Sequence, residues 1–209
     1  MGRVKVCGIT NVDDALVAAE AGADALGMVF AESPRRIDVP CATEIANALP
    51  PFVTRVGVFV NEDTETIRRM MHEVPLDIVQ LHGDEAPEVC VHLSPGRCVK
   101  GIRVKDEASL ERIWDYRGVA GVLLDAYVEG VAGGTGRTFN WGLAAGVVGR
   151  GVRIVLSGGL TPGNVEEAIR AVRPDAVDVS SGVEVEPGVK DAGAVREFVL
   201  RARRAFAEL

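Results

Sequence analysis

The 209-residue sequence lacks most features of metal, membrane and nucleic-acid proteins. Its 4 cysteines and 3 histidines form no C-x-x-C or H-x-x-x-H pair, so a zinc site is not expected. No apolar run approaches the roughly 18 residues that a membrane-spanning helix needs. The apolar run at the N-terminus is too short for a signal peptide, and no basic run is present. We therefore expect a cytoplasmic protein without a metal ion and without a membrane or nucleic-acid partner.

Acidic residues outnumber basic ones, 30 against 23, which gives a formal net charge of −7. Such a charge attracts neither nucleic acid nor anionic membranes, so an anionic ligand needs a local binding device. Hydrophobic residues make up 47% of the chain, enough for a sizeable core and too many for a disordered protein. The four scattered cysteines are typical of reduced thiols in a cytosolic protein.

Short apolar runs rich in β-branched residues alternate with amphipathic, helix-like stretches. Continuous apolar runs are typical of strands that are buried on both faces, as in parallel sheets. We predict eight strands, at residues 4–6, 25–30, 54–60, 77–81, 97–102, 121–124, 153–156 and 176–179. We predict eight helices between and after them, at residues 13–21, 41–49, 64–72, 87–93, 107–116, 141–148, 165–171 and 192–206.

Eight strand–helix units predict an α/β protein, a single (β/α)8 TIM barrel with short loops that occupies residues 1–209 as one catalytic domain. The alternative is a doubly wound open sheet, which normally has about five or six strands and a G-x-G-x-x-G sequence after the first. Here the first strand continues into Cys7-Gly8-Ile9-Thr10, which lacks that pattern. The strand count therefore favours the barrel.

Two acid–base candidates stand at strand ends, where barrels of this kind carry their active sites. Cys7 ends the first predicted strand, and Asp125 follows the sixth. Since strands 7 and 8 lie between them on the ring, the thiol and the carboxylate could face each other across a ligand. The alternatives are that Cys7 is a small buried hydrophobe and that Asp125 is a cap.

The turns after strands 7 and 8 have the composition of a phosphate site. Many barrels bind phosphate there through backbone N–H groups. Gly158 and Gly159 would let the backbone approach an anion closely, and the hydroxyls of Ser180 and Ser181, followed by Gly182, add donors. Either segment alone could be an ordinary tight turn, whereas the presence of both favours phosphate binding.

Three further features could contact a ligand at the mouth of the barrel. Arg35 could pair with a substrate carboxylate or be a solvated loop charge, and His82 could line the mouth or be structural. The glycine-rich segment 133–138, which includes Gly134, fails the P-loop pattern because Arg137 stands at the lysine position. We expect this segment to be a loop that closes over the ligand. The remaining histidines and cysteines are interpreted as structural: His72, His92, Cys41, Cys90 and Cys98.

Sequence blocks in a fixed order, from residue 4 to about residue 191, carry a resemblance to a known family. The most specific blocks are Lys5-Val6-Cys7-Gly8-Ile9-Thr10 and Asp178-Val179-Ser180-Ser181-Gly182-Val183-Glu184. Others lie at 33–35, 56–60, 80–85, 123–125, 133–138 and 157–160. Together they resemble phosphoribosylanthranilate isomerase over nearly the whole chain.

The resemblance implies a step of tryptophan biosynthesis, the Amadori rearrangement of N-(5-phosphoribosyl)anthranilate to 1-(2-carboxyphenylamino)-1-deoxyribulose 5-phosphate, without a cofactor. In this family the residue that matches Cys7 is the general base, and the residue that matches Asp125 is the general acid. The residue that matches Arg35 holds the anthranilate carboxylate, and the turns after strands 7 and 8 hold the phosphate. The small-molecule substrate is the expected partner, and the chain is expected to be a monomer or a homodimer.

This sequence departs from the family pattern at Ala126, Arg137 and Asn140, where the family commonly has Thr or Ser, Lys, and Asp. These departures concern the loop after strand 6 and the surroundings of the acid.

One alternative function is that of the related histidine-pathway isomerase, which acts on an aminoimidazole ribotide and uses an Asp where Cys7 stands. A bifunctional enzyme that performs both reactions is another. A non-catalytic sugar-phosphate-binding barrel is a further alternative, but such a barrel would need neither the thiol nor the acid.

The position of Lys5 bears on the proposed base. Lys5 precedes Cys7 by two residues, so on a regular strand both side chains face the same side. A cation one layer below a thiol favours the thiolate. We therefore predict that Lys5 lowers the pKa of Cys7 below the ordinary thiol value of about 8.5.

Overall fold

The computed structural model describes residues 2–93, 96–126 and 140–209. Eight parallel strands close into a barrel in chain order, so that the eighth pairs with the first. They are β1 Arg3–Cys7, β2 Ala25–Val29, β3 Thr54–Phe59, β4 Ile78–Leu81, β5 Cys98–Val104, β6 Gly121–Ala126, β7 Ile154–Leu156 and β8 Ala176–Val179. The closed ring confirms the predicted (β/α)8 TIM barrel and excludes the open sheet.

The helices surround the barrel, and several begin at a capping side chain. They are α1 Val12–Glu20, α2 Val39–Ala48, α3 Thr64–Glu73, α4 Pro87–Leu93, α5 Glu107–Glu111, α6 Trp141–Ala145, α7 Val165–Val172 and α8 Ala192–Ala207. Asn11, Asp38, Asp63 and Asp191 each accept a backbone N–H from the first turn of the helix that follows. These bonds satisfy donors that a helix start otherwise leaves without a partner. None of the described helices is long and apolar enough to cross a membrane.

Three segments differ from the predicted elements. The helix predicted at 107–116 is α-helical only in α5 and continues as a 3₁₀ turn over Arg112–Tyr116. α6 ends earlier than predicted, at Ala145, with Gly146 as its C-cap. After β8 the chain forms a 3₁₀ turn, Ser181–Val183, and an antiparallel hairpin of β9, Glu184–Glu186, and β10, Val189–Lys190. Strands of 3 and 2 residues are too short for hydrophobic periodicity to reveal.

Three aspartates fasten neighbouring strands at the N-terminal end of the barrel. Asp24, just before β2, accepts the backbone N–H of Val4 on β1 at 2.7 Å. Asp77, before β4, accepts the N–H of Arg55 on β3, and Asp175, before β8, accepts that of Ile154 on β7. Each carboxylate therefore links the start of one strand to the start of the next.

The strands of the barrel separate two clusters of buried apolar side chains. Val4 and Val6 belong to the apolar cluster that also holds the buried faces of the helices, whereas Cys7 packs in a separate small cluster. This split follows from the alternation of side chains along a strand. Eight buried polar residues lie on the strands or in the loops that follow them: Lys5, Gln80, His82, Glu85, Lys100, Asp125, Asp178 and Lys190. Because buried polar groups are costly unless they are paired, this concentration indicates a functional site.

Candidate active site

A cavity of about 110 Å³ opens at the C-terminal ends of the strands, where the sequence predicted the active site. Cys7 at the end of β1 and Asp125 on β6 both line it, with 8% and 5% of their surface exposed. The predicted ligand contacts Arg35 and His82 line the same cavity. The closed ring therefore brings a thiol, a carboxylate, a guanidinium and an imidazole to one small space.

The thiol of Cys7 lies beside the ammonium group of Lys5, inside the barrel. A Cβ added at Gly27 on β2 would lie 2.5 Å from Cys7 Sγ and 3.1 Å from Lys5 Nζ, so this glycine leaves room for both groups. Lys5 Nζ also donates to Asp178 Oδ1 on β8 at 2.9 Å. The cation that faces the thiol is thus already paired with a carboxylate.

The prediction that the pKa of Cys7 falls below the ordinary thiol value is wrong. Burial raises the pKa of Cys7, and Asp178 raises it further, against the opposing charges of Lys5 and Lys190. Lys5 itself acts in the predicted direction and stays protonated because, although burial opposes it, Asp178 raises the pKa of Lys5. Desolvation of the thiol is the effect that prevails.

Asp125 is held by two defined contacts. Its Oδ1 accepts the backbone N–H of Ala126 at 2.9 Å. Its Oδ2 lies 3.3 Å from His82 Nε2. The amide nitrogen of Gln80 lies 3.0 Å from His82 Nδ1, which must therefore accept a hydrogen bond. This leaves Nε2 to carry the ring proton and donate to Asp125. His82 thus lines the cavity and orients the carboxylate.

Arg35 reaches the cavity as predicted, but its guanidinium group is hydrogen-bonded to a carboxylate of the chain itself. Arg35 Nε donates to Glu184 Oε1 at 2.9 Å, and Nη2 donates to Glu184 Oε2 at 2.7 Å. Although burial opposes it, the hydrogen bonds from Arg35 and Lys190 lower the pKa of Glu184. Gly8, with a φ of +74°, lets the arginine pass close to the end of β1, since a Cβ there would lie 2.5 Å from Arg35 Cδ.

The two predicted phosphate turns lie side by side at the rim of the cavity. Gly158, Gly159, Ser180 and Ser181 all line it. Gly158 and Gly159 have φ of +84° and +65°, a backbone path that favours glycine. Gly182 does not line the cavity; it packs against the loop after β7, where a Cβ would overlap the carbonyl oxygen of Leu160.

Four residues at the site were missed by reasoning from the sequence: Gln80, Asp178, Glu184 and Lys190. Asp178 lies in the middle of β8, and an acidic residue in an otherwise apolar buried strand is a signal that could have found it. Glu184 and Lys190 belong to the unpredicted hairpin. Of the loop after β6, Gly134 and Arg137 lie outside the described residues, whereas Asn140 caps α6 by accepting the N–H of Gly142.

The other predicted structural residues lie outside the cavity. Cys41 is half-buried and its Sγ donates to the carbonyl of Thr10, and His92 Nδ1 lies 2.7 Å from the carbonyl of Glu88. All four cysteines are free thiols. Within the described ranges, no group of three or more His, Cys, Asp or Glu side chains is placed to hold a metal ion.

The fold and the position of the cavity define a (β/α)8-barrel enzyme whose active site lies at the C-terminal ends of the strands. Residues 4–201 match the family model of N-(5′-phosphoribosyl)anthranilate (PRA) isomerase. The isomerase of Trichlorobacter lovleyi is 55% identical over 207 residues, which cover 99% of this chain and 100% of the relative. The chain belongs to the phosphoribosylanthranilate isomerase family, as its sequence blocks indicated.

Two solved structures of the same family resemble this fold closely. The dimeric enzyme of Thermotoga maritima, in its monomeric form, has a TM-score of 0.88 and 44% identity, and the match covers 98% of this chain and 100% of that one. A phosphoribosylanthranilate isomerase in complex with reduced 1-(o-carboxyphenylamino)-1-deoxyribulose 5-phosphate has a TM-score of 0.88 and 45% identity at the same coverage.

Proposed function

We propose that this chain converts N-(5′-phosphoribosyl)anthranilate into 1-(2-carboxyphenylamino)-1-deoxyribulose 5-phosphate, with Cys7 as general base and Asp125 as general acid. The observation that carries the proposal is that both side chains line the same cavity, in a chain of this family. The complex of a relative with a reduced form of the same product supports a substrate of this kind.

The two groups would act in turn. Asp125 gives its proton to the furanose ring oxygen while the C1–O bond breaks, and the lone pair of the amine forms the C1=N bond of a Schiff base. Cys7, as the thiolate, then takes the proton from C2. The electron pair of that C–H bond forms the C1=C2 bond of the enolamine, while the π pair of the C1=N bond returns to nitrogen. Finally C1 gains a proton and the C2 hydroxyl loses one, which gives the ketone. The steps open the ring and transfer protons, and they consume no co-reactant.

The two anionic ends of the substrate would bind at different sides of the cavity. The phosphate fits the turns with Gly158, Gly159, Ser180 and Ser181, because backbone N–H groups and hydroxyls are suitable anion donors. The anthranilate carboxylate fits Arg35. Glu184 occupies Nε and Nη2 of Arg35, and Nη1 is not part of that pair. This arrangement would place C1 and C2 of the sugar between Cys7 and Asp125.

Single substitutions test the acid–base pair. Cys7→Ser and Asp125→Asn should each lower kcat by at least about 10²-fold, the usual scale for acid–base catalysis, with KM nearly unchanged. The measurement is the loss of substrate fluorescence at saturation. Cys41→Ser is the matched control, because this half-buried thiol lies outside the cavity and should leave kcat unchanged. Near-normal turnover in either active-site variant would remove its assigned role.

The same assay with the aminoimidazole ribotide substrate of the histidine pathway tests the bifunctional alternative. Since Cys7 stands where the histidine-pathway isomerase uses an Asp, we expect no turnover of that substrate.

The assembly is proposed to be a monomer or a homodimer, and the T. maritima relative is described as dimeric. Sedimentation equilibrium of the purified chain distinguishes the two states.

A further inference from the structure

Lys190, on the hairpin after β8, connects three parts of the site. Its Nζ donates to the backbone carbonyl of Cys7 at 2.6 Å and to Glu184 Oε1 at 2.6 Å, and a longer bond of 3.4 Å reaches the carbonyl of Ser180. Glu184 in turn holds Arg35. One ammonium group thus links the strand end that bears the thiol, a predicted phosphate turn and, through Glu184, the guanidinium group of Arg35.

The hairpin fixes Lys190 in this position. The backbone N–H of Lys190 donates to Asp14 Oδ2 at 2.9 Å, and the hydroxyl of Thr10 donates to the carbonyl of Gly188. The side chain of Lys190 is 0% exposed and that of Glu184 is 4% exposed. A buried and anchored ion pair of this kind keeps its geometry and is only weakly screened by salt.

The charges of this network decide what Arg35 can bind. Arg35 and Glu184 alone would form a neutral pair, and a neutral pair offers little attraction to a second carboxylate. Burial lowers the pKa of Lys190, but the 2.6 Å ion pair with Glu184 opposes this fall, so Lys190 adds a second cation to the same Glu184. The three side chains then carry one excess positive charge, and the neighbouring thiol of Cys7 stays neutral in its resting form because burial raises its pKa.

We propose that Lys190 is a specificity-determining residue: by neutralising Glu184, it leaves the charge of Arg35 available for a carboxylate on the substrate. This inference rests on the proposed role of Arg35 in binding the anthranilate carboxylate. Lys190 acts through Glu184 and Arg35 and is a positioning residue, not a group that touches the reacting atoms. Glu184 then orients the guanidinium group of Arg35, while the three side chains together keep one positive charge.

The test compares two ligands that differ only in the carboxylate. One is reduced 1-(2-carboxyphenylamino)-1-deoxyribulose 5-phosphate, and the other is the same compound with a plain phenylamino group. Calorimetry gives both Kd values, and their ratio is the carboxylate preference. Lys190→Met should lower this preference at least about tenfold, the low end of the range for a charged hydrogen bond. Any effect of losing the bond to Ser180 acts on the phosphate of both ligands alike and cancels in the ratio.

The second and third variants separate a charge effect from mere packing. Glu184→Gln removes the anion and should raise the preference above that of the wild type. The double variant Lys190→Met with Glu184→Gln removes both charges and should return the preference to within about threefold of the wild type. If each single variant lowers the preference and the double variant lowers it most, the residues are only structural and the inference is wrong.

Lys100→Met is the matched control for the loss of a buried lysine. Lys100 Nζ pairs with Glu85 Oε2 at 3.0 Å beneath the loop after β4, away from Arg35. This variant should lose stability and keep the carboxylate preference. Arg35→Ala tests the proposed function separately. If the preference survives Arg35→Ala, the carboxylate assignment itself fails. If it is lost there but unchanged in Lys190→Met, only the inference about Lys190 fails.

Discussion

At the scale of single residues, Cys7 combines a position suited to catalysis with surroundings that resist its ionisation. Burial raises the pKa of its thiol, Asp178 adds to the rise, and Lys5 and Lys190 oppose it. A general base works only when it is deprotonated, so the acidic limb of the kcat/KM profile reports this pKa. Activity should therefore still rise with pH at the ordinary thiol value of about 8.5.

Two substitutions should move this limb in opposite directions. Lys5→Met removes a cation beside the thiol and should move the limb to higher pH, whereas Asp178→Asn removes an anion and should move it to lower pH. Profiles of kcat/KM from about pH 6 to pH 10 measure both shifts against the ordinary thiol value. A limb that stays in place in both variants, with intact circular dichroism, would show that another group titrates.

His82 provides a prediction about the acid. Its Nε2–H donates to Asp125 Oδ2, and Gln80 fixes the tautomer that makes this possible. We expect His82→Ala to lower kcat about tenfold or more, because Asp125 becomes charged as it gives up its proton and a hydrogen bond to a charged group contributes about 1.5–3 kcal/mol. KM should change less than threefold, an about 0.6 kcal/mol effect, since the substrate ends bind elsewhere. A large rise in KM with kcat unchanged would instead indicate that His82 holds the substrate.

The residues that the sequence could predict are those whose position on a strand determines their location. Cys7 and Asp125 were found because each stands at the end of an apolar run. The pair of Arg35 and Glu184 could not be found in this way, since its members are 149 residues apart and depend on a hairpin without a periodic signal. Lys5 was placed correctly by strand alternation, but the sequence did not reveal that Asp178 pairs with it across β1 and β8.

At the scale of the elements, the carboxylates at the N-terminal end of the barrel hold adjacent strands in register. Asp24 accepts the N–H of Val4 and also pairs with Arg3 and with Arg203 of α8. Asp24→Ala leaves the backbone N–H of Val4 without its acceptor and removes both ion pairs, so we expect the free energy of unfolding to fall by about 1–3 kcal/mol. Urea denaturation measures this loss. Asp115→Ala, at an exposed position in the 3₁₀ turn, is the control and should have little effect.

The contribution of Asp24 should depend on pH with a defined sign. Although burial opposes it, hydrogen bonds from Val4, Arg3 and Arg203 lower the pKa of Asp24. Its stabilisation is therefore fully present above the unfolded aspartate pKa of about 3.9 and is lost as the pH falls through the lower, folded value. The difference in stability between the wild type and Asp24→Ala should shrink below about pH 4. A difference that grows on acidification would contradict this assignment.

The strands were easier to predict than the segments between and after them. A parallel strand buried on both faces needs an apolar run, and all eight runs were found. The helix predicted at 107–116 was correct in position but not in type. α5 starts at the capping box of Asp106 and Ser109, and 3₁₀ geometry follows directly. The choice between α and 3₁₀ geometry depends on packing that amphipathic spacing does not encode.

At the scale of the whole molecule, closure of the barrel brings loops from the two ends of the chain together at one site. β1 pairs with both β2 and β8, so the loop with Arg35 and the turn with Ser180 lie on either side of Cys7. A ligand in the cavity would therefore contact loops from both ends of the chain. Strand count alone predicts this arrangement, because only a closed barrel brings the first and last strands together.

Ligand binding should accordingly stabilise the chain as a whole. A ligand that binds only the folded state at about 100 times its Kd adds about 2.7 kcal/mol. For a chain of this size, each kcal/mol raises Tm by roughly 2–4 °C, so the reduced product should raise Tm by about 5–10 °C.

In Arg35→Ala, a tenfold weaker affinity at the same concentration removes about 1.4 kcal/mol, or about half of the shift. The phenylamino ligand lacks the carboxylate, and its own shift should be the same in wild type and variant. Differential scanning fluorimetry measures all four shifts. If Arg35→Ala reduces the two ligands' shifts equally, the arginine supports the fold of the site and does not bind the carboxylate.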